Sequence, residues 1–85
     1  MVNKENLDSV YDSVIVPLEN YAEGSSTAFE MLKYMEVFGD VMQDFTIRMN
    51  KQHRIMVEEN PEQKKEIEEY ILSLKNKLVE TYKPK

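Results

Sequence analysis

Apolar residues along the chain fall into three runs of helical spacing, divided by two short stretches of turn and cap residues. In the first run, about residues 4 to 22, Leu7, Val10, Tyr11, Val14, Leu18 and Tyr21 recur at steps of three and four, the signature of one buried helix face. Pro17 has no N–H to give the helix ladder, its ring collides with the preceding turn, and Val14, Ile15 and Val16 are mediocre helix formers. A kink or break near residue 16 is therefore predicted. A strand at 14 to 16 would have no other strand in the chain to pair with.

The second run, about 27 to 58, is the most regular. With Ala28 taken as heptad position a, the a positions read Ala28, Met35, Met42, Met49 and Met56, and the d positions Met31, Phe38, Phe45 and Gln52. Apolar residues repeating every 3.5 positions keep one stripe facing a neighbour as two helices supercoil. At 1.5 Å per residue the helix would be about 48 Å long. Leu32, Tyr34, Val37 and Val41 widen the apolar face of its first half, which calls for more than one neighbour there. Gly39, inside the pattern, costs about 1 kcal/mol relative to Ala, and is tolerable if it lets another backbone come close.

The third run, about 61 to 82, carries Ile67, Ile71, Leu74, Leu78 and Thr81 on one stripe, flanked by Tyr70, Leu72, Val79 and Tyr82. Glu62, Glu66, Glu68 and Glu69 crowd its first half and Lys75, Lys77 and Lys83 its second, an order that suits the helix dipole at both ends. Between the first two runs, Gly24 ends a helix and Thr27 with Glu30 has capping-box spacing. Between the last two, Asn60 is placed to cap, Pro61 to take the first helical position, and Gln63 to close a capping box.

Short turns fold each helix back on the one before it. The expectation is a single all-α domain over 1–85: a three-helix antiparallel up-down-up bundle with a long central helix and coiled-coil-like packing. The first helix would cover the start of the long one and the third its end. The core would then be thin at Met49 to Met56. Pairing through the Met and Phe stripe would bury what one copy leaves open, so a homodimer or larger helical assembly is expected.

Composition narrows the chemistry. Eighty-five residues with no Cys exclude a disulfide framework, a thiolate metal site and a thiol nucleophile, and point to a reducing compartment. One His and two Gly leave no His-rich metal cluster, phosphate-binding glycine loop or dinucleotide fold. No leader-like or membrane-length apolar run is present, so the cytoplasm of a bacterial or virus-infected cell is the expected location. Lys, Asn, Glu, Ile and Met give the composition the flavour of a bacterial or phage accessory protein.

No catalytic kit is visible. Di-iron bundles need two Glu-x-x-His pairs, whereas His53 stands alone, has Asn50 three residues before it, and sits among Lys51 and Arg54. Ser25, Ser26 and Thr27 are explained as caps, and His53 would lie nearly 40 Å along the helix from Thr27. Paired acids such as Asp40 with Asp44 and Glu58 with Glu59 are expected by chance among 16 acidic residues. The expectation is a chain that is not an enzyme and holds no cofactor or metal.

Charge adds one asymmetry. Residues 1–45 hold nine acids against Lys4 and Lys33, whereas residues 46–57 hold Arg48, Lys51 and Arg54 and no acid, within a total of -5. The first functional reading is a non-enzymatic protein-protein interaction module, an adaptor, inhibitor or regulator, self-associating through Met31, Met35, Phe38, Met42, Phe45, Met49 and Met56. A stripe rich in unbranched Met packs adaptively and specifies its partner loosely. The alternative is an acidic nucleic-acid mimic that blocks a DNA- or RNA-binding protein through Asp8, Asp12, Asp40 and Asp44. The third is weak nucleic-acid binding through Arg48, Lys51 and Arg54, disfavoured by the overall negative field and by the lack of interleaved aromatics.

Overall fold

The structure, a computed structural model, describes residues 4–21 and 28–84. Helix α1 (Lys4–Val14) and the single turn α2 (Val16–Glu19) form one broken rod. Helix α3 (Ala28–Glu59) runs the length of the molecule, and a 3-10 turn (Pro61–Gln63) leads into α4 (Lys64–Tyr82). The described residues include no strand, and the arrangement is the expected all-α bundle. It is a rod of 49 × 17 × 16 Å.

The break falls where the sequence places it. Ile15 leaves the helix as a turn, and α2 restarts with Pro17 in its first turn, where a missing N–H costs nothing. The N–H groups of Leu18 and Glu19 return to the Ile15 carbonyl at 2.9 and 3.0 Å, so the ladder resumes just beyond the proline. At the other junction Pro61 starts a 3-10 turn instead of α4 itself, and Asn60 makes no side-chain cap. The bond that closes this turn is from backbone to backbone, Gln63 N–H to the Asn60 carbonyl at 2.9 Å. A 3-10 turn ties its own end groups with i to i+3 bonds, which removes the need for the predicted capping box. The Gly24 stop and the Thr27 cap lie outside the described residues.

Cross-links fix the topology. The Asn6 amide donates to the Gln52 side-chain carbonyl at 2.9 Å, and the Tyr21 hydroxyl to the Glu30 carbonyl at 3.3 Å, so the first rod runs antiparallel to α3. His53 meets Glu68 at 2.8 Å, and the Tyr34 hydroxyl donates to the Tyr82 carbonyl, so α4 does the same. The Tyr70 hydroxyl donates to Asp8, and Lys77 lies over the Tyr11 ring at 5.1 Å, which sets α1 and α4 side by side and parallel.

The core draws Leu7, Tyr11, Val14, Ile15 and Leu18 from the first rod, Val41, Phe45, Met49 and Met56 from α3, and Ile67, Leu74 and Leu78 from α4. Here the structure corrects the expected coverage. The first rod reaches back to Gln52, so both neighbours overlap along the second half of α3, and Met49 is only 2% exposed. A side chain such as Leu7 can be enclosed only where both other helices lie alongside, and that requirement draws α1 toward residues 41 to 56. The thin end is the opposite one, residues 28 to 35.

Candidate functional site: the uncovered start of the long helix

The first half of α3 carries two apolar faces. One, made by Tyr34, Val37, Val41 and Phe45, turns toward the first rod and the end of α4 and is buried or half-buried. The other is made by Leu32, Met35, Gly39, Met42 and Thr46. At 100° per residue these five share a sector about 80° wide, centred about 130° around the helix from the first face. Its start is open: Leu32 is 63% exposed and Met35 53%, with Phe29 (66%) and Met31 (45%) exposed to either side of it. Lys33 lies over the Phe29 ring at 4.8 Å, the single base among the acids Glu30, Glu36 and Asp40.

Gly39 stands in the middle of this open face. A methyl group added there would meet no heavy atom within 4 Å. Among the described residues, no neighbouring element therefore requires glycine at a position where it weakens the helix.

Further along the same face lies a groove between α3 and α4 of about 380 Å³, lined by Phe45, Thr46, Met49, Asn50, His53, Glu68, Ile71, Leu72 and Lys75. Its floor is apolar, with Leu72 54% exposed at one wall. Its rim carries Lys75 and the His53–Glu68 pair.

The predicted stripe is thus split. Phe45, Met49 and Met56 are enclosed by their own chain, Phe38 and Met42 are half-buried, and Met31 and Met35 remain exposed. The residue that the heptad reading passed over is Phe29; Leu32 and Gly39 are marked in the sequence, beside and inside the stripe. Phe29 and Leu32 lie off the a and d positions, though the sequence does place Leu32 beside the stripe.

The electrostatic candidates are dispersed. Asp8 accepts from Tyr70 on the α1–α4 side, and Asp44 holds Arg48 at 3.0 Å on α3. Asp12 and Asp40 are exposed on different helices. Arg48 also reaches the Ser13 hydroxyl at 3.4 Å, while Lys51 and Arg54 are exposed. His53, expected on a solvated flank among cations, has Glu68 alongside.

Four tyrosines hold their protons beyond the usual phenol range. Burial does this first for Tyr11, Tyr34 and Tyr82, and the hydrogen bond to Asp8 does it first for Tyr70. Their role is to tie α1, α3 and α4 together. Among the described residues, no three acidic or His side chains converge on a point that would hold a metal, and no helix is long and apolar enough to cross a membrane.

Comparison with protein families, with curated proteins and with solved structures finds no match to this chain.

Proposed function

We propose that the chain is a non-enzymatic protein-protein interaction module, an adaptor, inhibitor or regulator, that binds an amphipathic helix along the uncovered face of α3. The observation that supports this reading is the cluster of Phe29, Met31, Leu32 and Met35, exposed together at one end of a chain whose other large apolar residues are mostly packed. Large apolar side chains left exposed close together in sequence mark candidate interaction sites in soluble proteins.

Magnitudes decide the kind of partner. Covering the exposed parts of these four side chains is worth roughly 1 to 1.5 kcal/mol each, about 5 kcal/mol together. Association costs on the order of 4 to 15 kcal/mol, so a polar partner surface gives no stable complex. A partner that brings equal apolar area roughly doubles the gain, and an amphipathic helix is the simplest element that fits a helical face.

The alternative of nucleic-acid mimicry receives less support, since Asp8 and Asp44 are engaged within the molecule and the exposed acids lie on different helices. Contact through Arg48, Lys51 and Arg54 is weakened in the same way by the Asp44–Arg48 pair.

The test is retention on immobilised protein. Leu32→Glu with Met35→Glu alters exposed positions and leaves the fold intact by circular dichroism. Proteins held by the wild type, this chain included, should be lost from the variant, and their retention should survive high salt. Equal retention by both, or none by either, overturns the reading.

A further inference from the structure

The outer edge of the open face has a pattern of its own. Phe29, Glu36, Asp40 and Ile47 follow one another at steps of seven, four and seven. At 100° per residue they share about 40° of arc, beside Leu32 and about 100° around α3 from the centre of the open face. All four are exposed, Phe29 at 66% and Ile47 at 62%. Two acids thus stand between two of the most exposed apolar side chains among the described residues.

We infer that the helix this face receives is a basic one. It carries Lys or Arg at the middle of one flank, to meet Glu36 and Asp40, and apolar residues on either side of them, to meet Phe29 and Ile47. This rests on the reading of the face as a helix-binding surface and states the chemistry of its partner. Phe29 to Ile47 spans about 27 Å of helix, so the partner needs about five turns.

Charge decides the sign. Among the described residues, Glu36 and Asp40 make no ion pair and no side-chain hydrogen bond. The nearest bases on α3 are occupied: Lys33 lies over the Phe29 ring at 4.8 Å, and Arg48 holds Asp44 at 3.0 Å. An acidic flank brought against this edge meets like charge, whereas a basic one finds two carboxylates without a partner. In packed helix pairs, charges flanking the apolar seam set partner choice and direction in this way. The opposite edge ends at the groove rim with Lys75, so the basic flank fits one side only, and that fixes which way the partner runs.

Gly39 agrees with this. It lies three residues after Glu36, on the side of the open face, with open space where a side chain would stand. The apolar stem of a Lys or Arg fits there while its head reaches the acids. Such flank charges speed association more than they tighten a complex, so the apolar contact survives salt while the rate of association does not.

Two synthetic helical peptides of about 18 residues, five turns, serve as probes. Both carry the same Leu face; one has Lys along one flank and Gln elsewhere, the other has Gln throughout. At low salt the Lys peptide should associate with the wild type at least about tenfold faster than the Gln peptide. Glu36→Gln with Asp40→Asn should cut that advantage to about twofold. Glu62→Gln with Glu69→Gln removes the same charge from exposed positions in the 3-10 turn and α4, and should leave most of it.

Equal rates for the two peptides, or an equal loss in the two charge variants, overturns the basic partner and leaves the face a surface for some other helix. Binding of neither peptide removes the helix-binding reading itself, and the basic partner with it.

Discussion

The Tyr34 hydroxyl donates a hydrogen bond to the backbone carbonyl of Tyr82, so the start of the long helix caps the end of the last one. The final carbonyls of a helix have no intrahelical donors, and Tyr34 supplies one from 48 residues away. Its ring also meets Tyr21 edge to face at 5.3 Å. This one residue holds both flanking elements where the core begins to thin.

Tyr34→Phe keeps the ring and removes the donor. The expected loss is about 1 kcal/mol, which lowers the melting temperature by about 4 to 8 °C in a domain of this size. Amide exchange at the end of α4 should speed up more than at its start. Uniform exchange along α4 would show that the Tyr34–Tyr82 bond does not hold the end of the helix.

The two ends of the methionine series should behave oppositely. Met49→Ala empties a site enclosed by three helices and should cost about 2 to 5 kcal/mol. Met35→Ala, at an exposed position, should stay within about 0.5 kcal/mol in the isolated chain. Urea denaturation at low concentration measures both, and similar losses would contradict the division of the stripe.

At Gly39 the isolated chain should gain from Ala. The site is helical and open, so Gly39→Ala should stabilise by roughly 0.5 to 1 kcal/mol. A lower denaturation midpoint in dilute solution would mean that glycine serves the single chain in a way its surroundings do not show.

Alkaline pH should loosen the bundle. Tyr11, Tyr34, Tyr70 and Tyr82 have pKa values raised above the phenol value of 10.0, so the folded chain favours the protonated phenols. That contribution is complete below pH 10 and is lost as pH climbs through the raised values. Phenolate absorbance should appear later on the pH axis in the folded chain than in urea. For Tyr70 the cause is mainly the bond to Asp8, and Asp8→Asn should bring its titration back toward the ordinary range.

Much of this fold is written in local spacing. The 3.5-residue repeat from Ala28 predicts a helix to about 58, and α3 ends at Glu59; Pro17 breaks the first rod within two residues of the expected place. Coverage was harder to read, because the register between helices is set by the full enclosure of side chains such as Leu7 and Ile67, which no single helix pattern contains. The stripe shows the same limit. Periodicity marks Met35 and Met49 as equivalent, and only the neighbours that reach one and not the other make the first a surface and the second a core. Gly39 is legible as an anomaly in sequence, but its open surroundings are known only in three dimensions.

The short turn at Asn60 to Gln63 also bears on how the bundle assembles. Beside this turn His53 meets Glu68 at a separation of 15, while the far ends of the same two helices, Tyr34 and Tyr82, meet across 48; the first rod and α3 likewise meet across 9 residues at Tyr21 and Glu30 and across 46 at Asn6 and Gln52. Contacts next to a turn close the smaller loops, so each of the two hairpins should close from its turn toward its far end. Because α4 follows α1 in the chain, Leu7, Tyr11 and Val14 reach full enclosure only once α4 has been made. Until then these apolar side chains share their segment with Glu5, Asp8 and Asp12, whose charge opposes association with other unfolded chains.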